Sequence, residues 1–286
     1  MHGHILHNDA ILSSDERSLS AGQVGFMNGW GVFSTIRVAR GVLFEYERHF
    51  ARMKRDAQLM RVPFPSDPAW LEQRLLQLVA KNQADNATLR VVVIRNRGGL
   101  FEGPSIDRDF DVIAFTTGLN DWGSGVKLGV VRQGRHAASR FAGTKFTSWG
   151  MNLTLYDEAH DHGFDEVVLL NERDEVSECT SANIFIAQGD QVFTPPLSSG
   201  CLAGITRELL LTEIRVPGIR ITEKALTLSD LEAADEVFIT STTRDLLTVL
   251  SIEGLSLRSR GHIIQDALQS AFTQHIEDYT CSRAGV

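Results

Sequence analysis

No apolar run in this 286-residue chain approaches the roughly 20 residues that a membrane-spanning helix requires. The first residues, Met1-His2-Gly3-His4, also lack a basic stretch leading into an apolar one. A soluble, cytoplasmic protein with no membrane partner is expected. Cysteine is scarce: Cys179, Cys201 and Cys281 form no CxxC pair and leave an odd thiol, which argues against a disulfide framework and against a zinc site. No metal is expected. Positive charge is not in excess either. With a formal charge of −8, a pI near 5.6 and its basic residues interspersed with acids, the chain has no field to steer nucleic acid. Lysine is the scarcest charged residue: of 28 basic residues only five, Lys54, Lys81, Lys127, Lys145 and Lys224, are lysines. Chemistry that needs a lysine must use one of these.

What is present is apolar surface, 43% of residues, enough for one large core or two ordinary ones. Single cores rarely grow past roughly 250 residues, so two domains are expected. The segment 118–125 (Gly118-Leu-Asn-Asp-Trp-Gly-Ser-Gly125) is the best linker, because it holds three glycines between two strand patterns. This places a smaller N-terminal domain at 1–119, a linker at 120–125 and a larger C-terminal domain at 126–286.

Periodicity predicts the elements. A hairpin turns at Asn8-Asp9, a long glycine-rich turn covers 22–31, and a β-branched, aromatic strand covers 31–40. Phe50, Met53, Ala57 and Met60 form one face of a helix, and 70–82 reads as a second amphipathic helix. Residues 87–95 (with Thr88-Leu89-Arg90-Val91-Val92-Val93-Ile94) read as a buried strand, followed by another at 110–117. Beyond the linker come a strand at 126–132, a helix at 152–162, strands at 166–170, 183–186 and 191–194, and a helix at 206–213. The tail adds a helix near 228–233, strands at 236–240 and 248–252, and a closing helix at 263–279. Hairpins mixed with helices, without a regular βαβ series, define an α+β fold.

The stretch 178–206 concentrates chemistry. Gly204-Ile205-Thr206 opens a helix, whose free N–H groups and positive dipole end suit an anion, while glycine lets a ligand approach the backbone. The run Thr240-Ser241-Thr242-Thr243 adds donors after a buried strand, and Arg52 offers a cation. Each of these taken singly has an ordinary reading as a helix cap, a self-capping turn or a solvated helix face.

Together they carry a resemblance. Glu178-Cys-Thr-Ser-Ala-Asn183-Ile-Phe185, Thr194-Pro195 and Leu202-Ala-Gly204-Ile-Thr206-Arg207, with Lys145, His49-Phe-Ala-Arg52 and the Thr-Ser-Thr-Thr turn, resemble the class IV (fold-type IV) aminotransferases over almost the whole chain. That family includes branched-chain and D-amino-acid aminotransferases and aminodeoxychorismate lyase. The resemblance implies a two-domain fold with pyridoxal 5'-phosphate at the domain interface. It implies Lys145 as the lysine that carries the cofactor and moves a proton, and Glu178 as the partner of the pyridine nitrogen. Arg52, Ile205, Thr206 and Thr242 would hold the phosphate, with Asn183 and Gly204 also at the cofactor. It further implies a homodimer, in which 95–104 is a candidate loop completing the partner's pocket.

Subgroup signals diverge. The Val-Phe-Glu-Gly run and the Tyr-x-Arg-Pro pattern of branched-chain enzymes are absent, as is the Arg-x-His carboxylate trap of D-amino-acid enzymes. Phe33-Ser34-Thr35-Ile36-Arg37 is closer to the lyase's Phe-Thr-Thr-Ala-Arg, with Thr35 as a catalytic helper, yet Leu100 stands where the lyase has its second arginine. Phe33, Arg95, Arg97 and Thr243 are the expected substrate contacts, with Trp149 flanking the cofactor or filling core. The function expected is transfer of an amino group from a small, apolar, branched-chain-like amino acid to a 2-oxo acid such as 2-oxoglutarate. The alternatives are aminodeoxychorismate lyase, a D-amino-acid or R-amine transaminase, and a non-catalytic cofactor-binding protein.

Overall fold

A computed structural model describes residues 1–99, 102–103, 106–258 and 261–283. They form two compact units. The first comprises Met1–Asn120, Thr144–Trp149 and the C-terminal residues from Ile276; the second comprises Asp121–Gly143 and Gly150–His275.

In the first unit, β1 (His4–His7) and β2 (Ala10–Ser13) make the expected hairpin, and Asn8 takes a left-handed conformation at its turn. A short helix, α1 (Val24–Asn28), occupies the stretch read as a long turn. Five residues of mixed character carry too little periodicity to announce a helix. Then follow β3 (Gly31–Ala39), β4 (Val42–Leu43), α2 (Tyr46–Met60), α3 (Pro68–Asn82), β5 (Ala87–Arg95) and β6 (Phe110–Thr117). α3 begins two residues earlier than its apolar pattern because Asp67 caps it, accepting from Ala69 N at 2.9 Å, and Pro68 fits the first turn.

The strands form one six-stranded antiparallel sheet in the order β2-β1-β6-β5-β3-β4. Its core face carries Val32, Ile36, Leu89, Val91, Val93, Val112 and Ala114, and it packs with Tyr46, Phe50, Met53 and Ala57 of α2 and Leu71, Leu75 and Leu78 of α3. Each Val, Leu, Ile, Phe or Met side chain among these, fully buried, contributes about 1.5–3 kcal/mol. Alternation along β3 and β5 leaves Phe33, Thr35 and Arg90 on the opposite face.

The second unit is built on β7 (Val126–Val131), α4 (Gly150–Asp161), β8 (Glu166–Leu170), β9 (Val176–Cys179), β10 (Asn183–Gln188), β11 (Gln191–Thr194), α5 (Ile205–Thr212), β12 (Arg220–Glu223), α6 (Leu228–Ala233), β13 (Glu236–Ser241) and β14 (Asp245–Ile252). The last helix, α7 (Ile263–Arg283), runs four residues past its expected end. Eight strands form a mixed sheet in the order β12-β11-β10-β13-β14-β7-β8-β9. β9 and β12 are four-residue strands of largely polar sequence, and β4 has only two residues, so none shows the alternation that would reveal it. One face of this sheet packs Val168, Ile184, Ile186, Val237 and Ile239 with Leu231 of α6. No helix among the described residues is long and apolar enough to cross a membrane.

Backbone packing in the first unit is tightest at Gly25 of α1. A Cβ there would overlap the Arg95 carbonyl and come within 2.7 Å of Arg95 N and Trp30 O. Gly25→Ala is expected to cost about 1–3 kcal/mol through this overpacking, measurable as a lower urea midpoint with unchanged slope.

Candidate active site

Lys145 belongs to the first unit, on the short segment Thr144–Trp149. That segment runs along β3: Phe33 N donates to Lys145 O at 3.1 Å, Thr147 N to Gly31 O at 3.0 Å, and Val32 bridges Phe146. Lys145 N donates to Asp56 Oδ2 at 3.0 Å, which ties the segment to α2. The Lys145 ammonium sits 4.7 Å from the centre of the Phe33 ring.

Asp56 lies one helical turn beyond Arg52, so both project from one face of α2. Arg52 is 7% exposed, and its Nη2 donates to Ser34 Oγ at 2.8 Å. Ser34 Oγ also stands 2.7 Å from His49 Nδ1. Burial, first, then the charges of Arg52 and Lys145 hold the His49 pKa well below the ordinary histidine value. The imidazole is therefore a neutral hydrogen-bonding partner of Ser34.

The remaining expected residues of this unit separate into two groups. Thr35 stands half-buried on β3 with Arg90 opposite it in register, beside Phe33. Trp149 packs edge-on to Phe33 with centroids 6.1 Å apart. Arg95, by contrast, gives its Nε to Arg97 O and its Nη1 to Arg61 O, with the guanidinium 4.5 Å from the Trp30 ring centre. Arg97 is paired with Glu102 at 3.4 Å and lies 3.9 Å from Asp109. Of the 95–104 loop, Leu100, Phe101 and Pro104 lie outside the described residues.

In the second unit Glu178 stands on β9 and is 7% exposed. Its Oε1 accepts from Arg135 Nε at 2.9 Å, and its Oε2 accepts from Leu202 N at 2.9 Å. The Leu202 carbonyl in turn accepts from Asn183 Nδ2 and from Gly204 N, both at 2.9 Å. The backbone of one residue thus joins the acid, the strand and the helix start. Asn183 spends its amide on this loop, and a Cβ at Gly204 would overlap the Asn183 side-chain oxygen. α5 begins at Ile205 with no side-chain cap. Among the described residues nothing accepts from the N–H of Ile205 or Thr206, and Thr242 makes no side-chain hydrogen bond. Two N–H donors of the helix start, and the Thr242 hydroxyl of the turn after β13, are left for an anion. Thr243 faces Ser241, Oγ1 to Oγ 3.3 Å, and its carbonyl accepts from Trp122 Nε1 at 2.8 Å.

The turn between Glu178 and Asn183 is held from below by Glu166, which is fully buried. This carboxylate accepts from Thr180 N at 3.1 Å and from the hydroxyls of Thr180 and Ser181, and Arg244 Nη2 lies 3.6 Å away. The sequence pattern did not reveal Glu166, Arg135, Asp56 or Ser34 as parts of the site, since each acts through a partner far away in the chain. A charged residue inside an otherwise buried strand, as at Glu166, is the signal available.

The family model for class IV amino-transferases matches residues 31–252. The chain belongs to this family. It is 28% identical over 259 residues to the D-alanine aminotransferase of Bacillus licheniformis, covering 89% of this chain and 90% of that protein. It is 28% identical over 267 residues to the branched-chain-amino-acid aminotransferase of Escherichia coli strain K12, with coverage of 87% and 86%. A branched-chain amino acid aminotransferase from T.th., solved with pyridoxamine 5'-phosphate, superposes with a TM-score of 0.86 at 22% identity, over 96% of this chain and 94% of that one. The α+β fold of this class IV aminotransferase is therefore fold-type IV.

The buried, neutral His49 sets an expected pH response. Below the ordinary value of about 6.5 the unfolded chain takes up a proton that the folded chain refuses, so stability falls as pH drops through 6.5 toward the depressed folded value. The slope is at most about 1.4 kcal/mol per pH unit. Urea midpoints of wild type and His49→Asn measured from pH 7.5 to 5 should converge on acidification.

Proposed function

We propose that this class IV aminotransferase uses pyridoxal 5'-phosphate to move an amino group between a small, apolar, branched-chain-like amino acid and a 2-oxo acid such as 2-oxoglutarate. The observation that carries the reading is the Leu202 backbone, whose N–H and carbonyl couple a buried carboxylate to a helix start with unused N–H donors. An acid and an anion seat held at fixed spacing match the two polar ends of this cofactor. The fit extends to charge, since a carboxylate suits a ring cation and helix N–H groups with hydroxyls suit a phosphate.

When bound, the cofactor supplies an electron sink for the pair left at the substrate Cα after proton loss. Lys145 Nζ would hold the cofactor and would carry the proton taken from and returned to the substrate Cα. Asp56 fixes the Lys145 backbone. Glu178 would keep the ring nitrogen protonated, with Arg135 and Leu202 N orienting its carboxylate. Ile205 N, Thr206 and Thr242 would hold the phosphate, with Arg52 as the cation. Phe33 and Trp149 offer an apolar wall to the substrate side chain.

Aminodeoxychorismate lyase is the second reading, favoured by the half-buried Thr35 hydroxyl on the Lys145 face of β3. A homodimer also belongs to the proposal, supported by the resemblance; light scattering should give about twice the 31.7 kDa chain mass.

Purified holoenzyme mixed in turn with L-leucine, D-alanine and an R-amine is expected to change its cofactor absorbance with at least one donor and to recover it with 2-oxoglutarate. Lys145→Ala should slow this by roughly 10³-fold or more. If no donor changes the spectrum the transaminase reading fails, and pyruvate release from aminodeoxychorismate would replace it with the lyase.

A further inference from the structure

Arg244 closes the turn that carries Thr242: its N–H donates to Ser241 Oγ at 3.2 Å. A cation two residues past that hydroxyl would suit a phosphate, yet the Arg244 side chain is only 4% exposed and spends its donors elsewhere. Nη1 donates to Ser181 Oγ at 2.9 Å, and Nη2 lies 3.6 Å from Glu166 Oε2. The guanidinium carbon sits 4.0 Å from the centre of the Trp122 ring, and Trp122 Nε1 donates to the Thr243 carbonyl at 2.8 Å. One indole thus holds both the backbone and the side chain of this turn.

Glu166 is the other half of the arrangement. Its Oε1 accepts from the amide and hydroxyl of Thr180 and its Oε2 from the Ser181 hydroxyl. Ser181 Oγ therefore accepts from Arg244 and donates to Glu166. The two turns lie side by side because Asn183, which starts β10, is in register with Thr240 near the end of β13. Glu178 stands two residues before Thr180, and Thr242 two residues before Arg244. The residues assigned to opposite ends of the cofactor are each held close to one charged clamp.

Desolvation cancels much of the attraction within a buried ion pair, whereas loss of one partner leaves an uncompensated charge. The planar fork of an arginine can lie on a ring while reaching two oxygens, which a lysine ammonium cannot match. Resting on the pyridoxal 5'-phosphate reading for the identity of the ligand, we propose that Arg244 is a positioning residue. Through Ser181 and Glu166 it locks the Thr242 turn to the turn after Glu178, so the phosphate seat and the acid for the ring nitrogen keep one spacing. A direct phosphate ligand behaves differently: removing Glu166 would free its guanidinium and tighten binding. A clamp loses function from either side.

The test is equilibrium dialysis of the full-length protein, freed of cofactor, against pyridoxal 5'-phosphate, under conditions where urea titration shows each variant folded. Arg244→Met and Glu166→Gln are each expected to raise Kd about 10-fold, and the double variant to match either single variant instead of reaching about 100-fold. Arg244→Lys should fall between wild type and Arg244→Met. Arg132→Gln, which breaks an exposed pair with Asp174, should stay within about 2-fold of wild type. At saturation the visible circular dichroism per bound cofactor should fall in both single variants. A pair that only stabilised the fold would lower the urea midpoint and change neither Kd nor this signal. Tighter binding by Glu166→Gln with weaker binding by Arg244→Met makes Arg244 a phosphate ligand and overturns the proposal. Wild-type Kd and dichroism in both single variants, or additive losses in the double variant, also overturn it. If a single variant does not fold, Ser181→Ala, which removes the bridging hydroxyl, and Arg244→Lys decide by the same criteria. A wild type with no affinity for pyridoxal 5'-phosphate removes the cofactor reading and the positioning role with it. Wild-type binding that none of the substitutions alters removes the role of Arg244 alone.

Discussion

The backbone of a single residue, Leu202, ties together the polar cluster of the second unit. Its N–H is bound to Glu178 and its carbonyl to Asn183 and Gly204. Because the peptide groups on both sides of the Leu202 Cα are committed, the acid on β9 and the start of α5 are tied to the same residue. Each of these peptide groups is planar, and the three hydrogen bonds restrict the two rotations at the Leu202 Cα that join them. Gly204 is confined by the same contact, since only a residue without Cβ clears the Asn183 amide.

The other buried charges serve placement in a similar way. Asp56 accepts from the backbone of Lys145 and is paired with Arg55 at 2.7 Å. Glu166 gathers the amide and hydroxyl of Thr180 and the hydroxyl of Ser181. Buried ion pairs return little net stability once desolvation is counted. Their use here is geometric, because an acid with several donors aimed at it has one orientation, and so do the segments that supply those donors.

Much of the architecture can be read from the sequence, since the stripe Phe50, Met53, Ala57 and the alternation of 87–95 correspond directly to α2 and β5. Short elements escape. Val176-Ser-Glu-Cys179 becomes a fully buried strand because its neighbours in space cover it, and no local periodicity records that. The same holds for the site. Lysine scarcity and the motif around 178–206 direct attention to certain residues, while the groups that hold them, such as Asp56 at 89 positions from Lys145 and Arg135 at 43 from Glu178, follow only from tertiary contacts.

The first unit is assembled from three separate stretches of chain, one of which is the six-residue segment bearing Lys145 and another the end of α7. During synthesis from the N-terminus, its six strands are complete by Thr117, but the edge of β3 beside Gly31 stays bare until residues 145–147 emerge. Tyr279, which donates to Glu47 at 2.8 Å, arrives later still. Contacts that close such long loops form late and slowly. The sheet can therefore be made before Lys145 has been translated, and the segment that bears it is seated on a scaffold that has already taken shape.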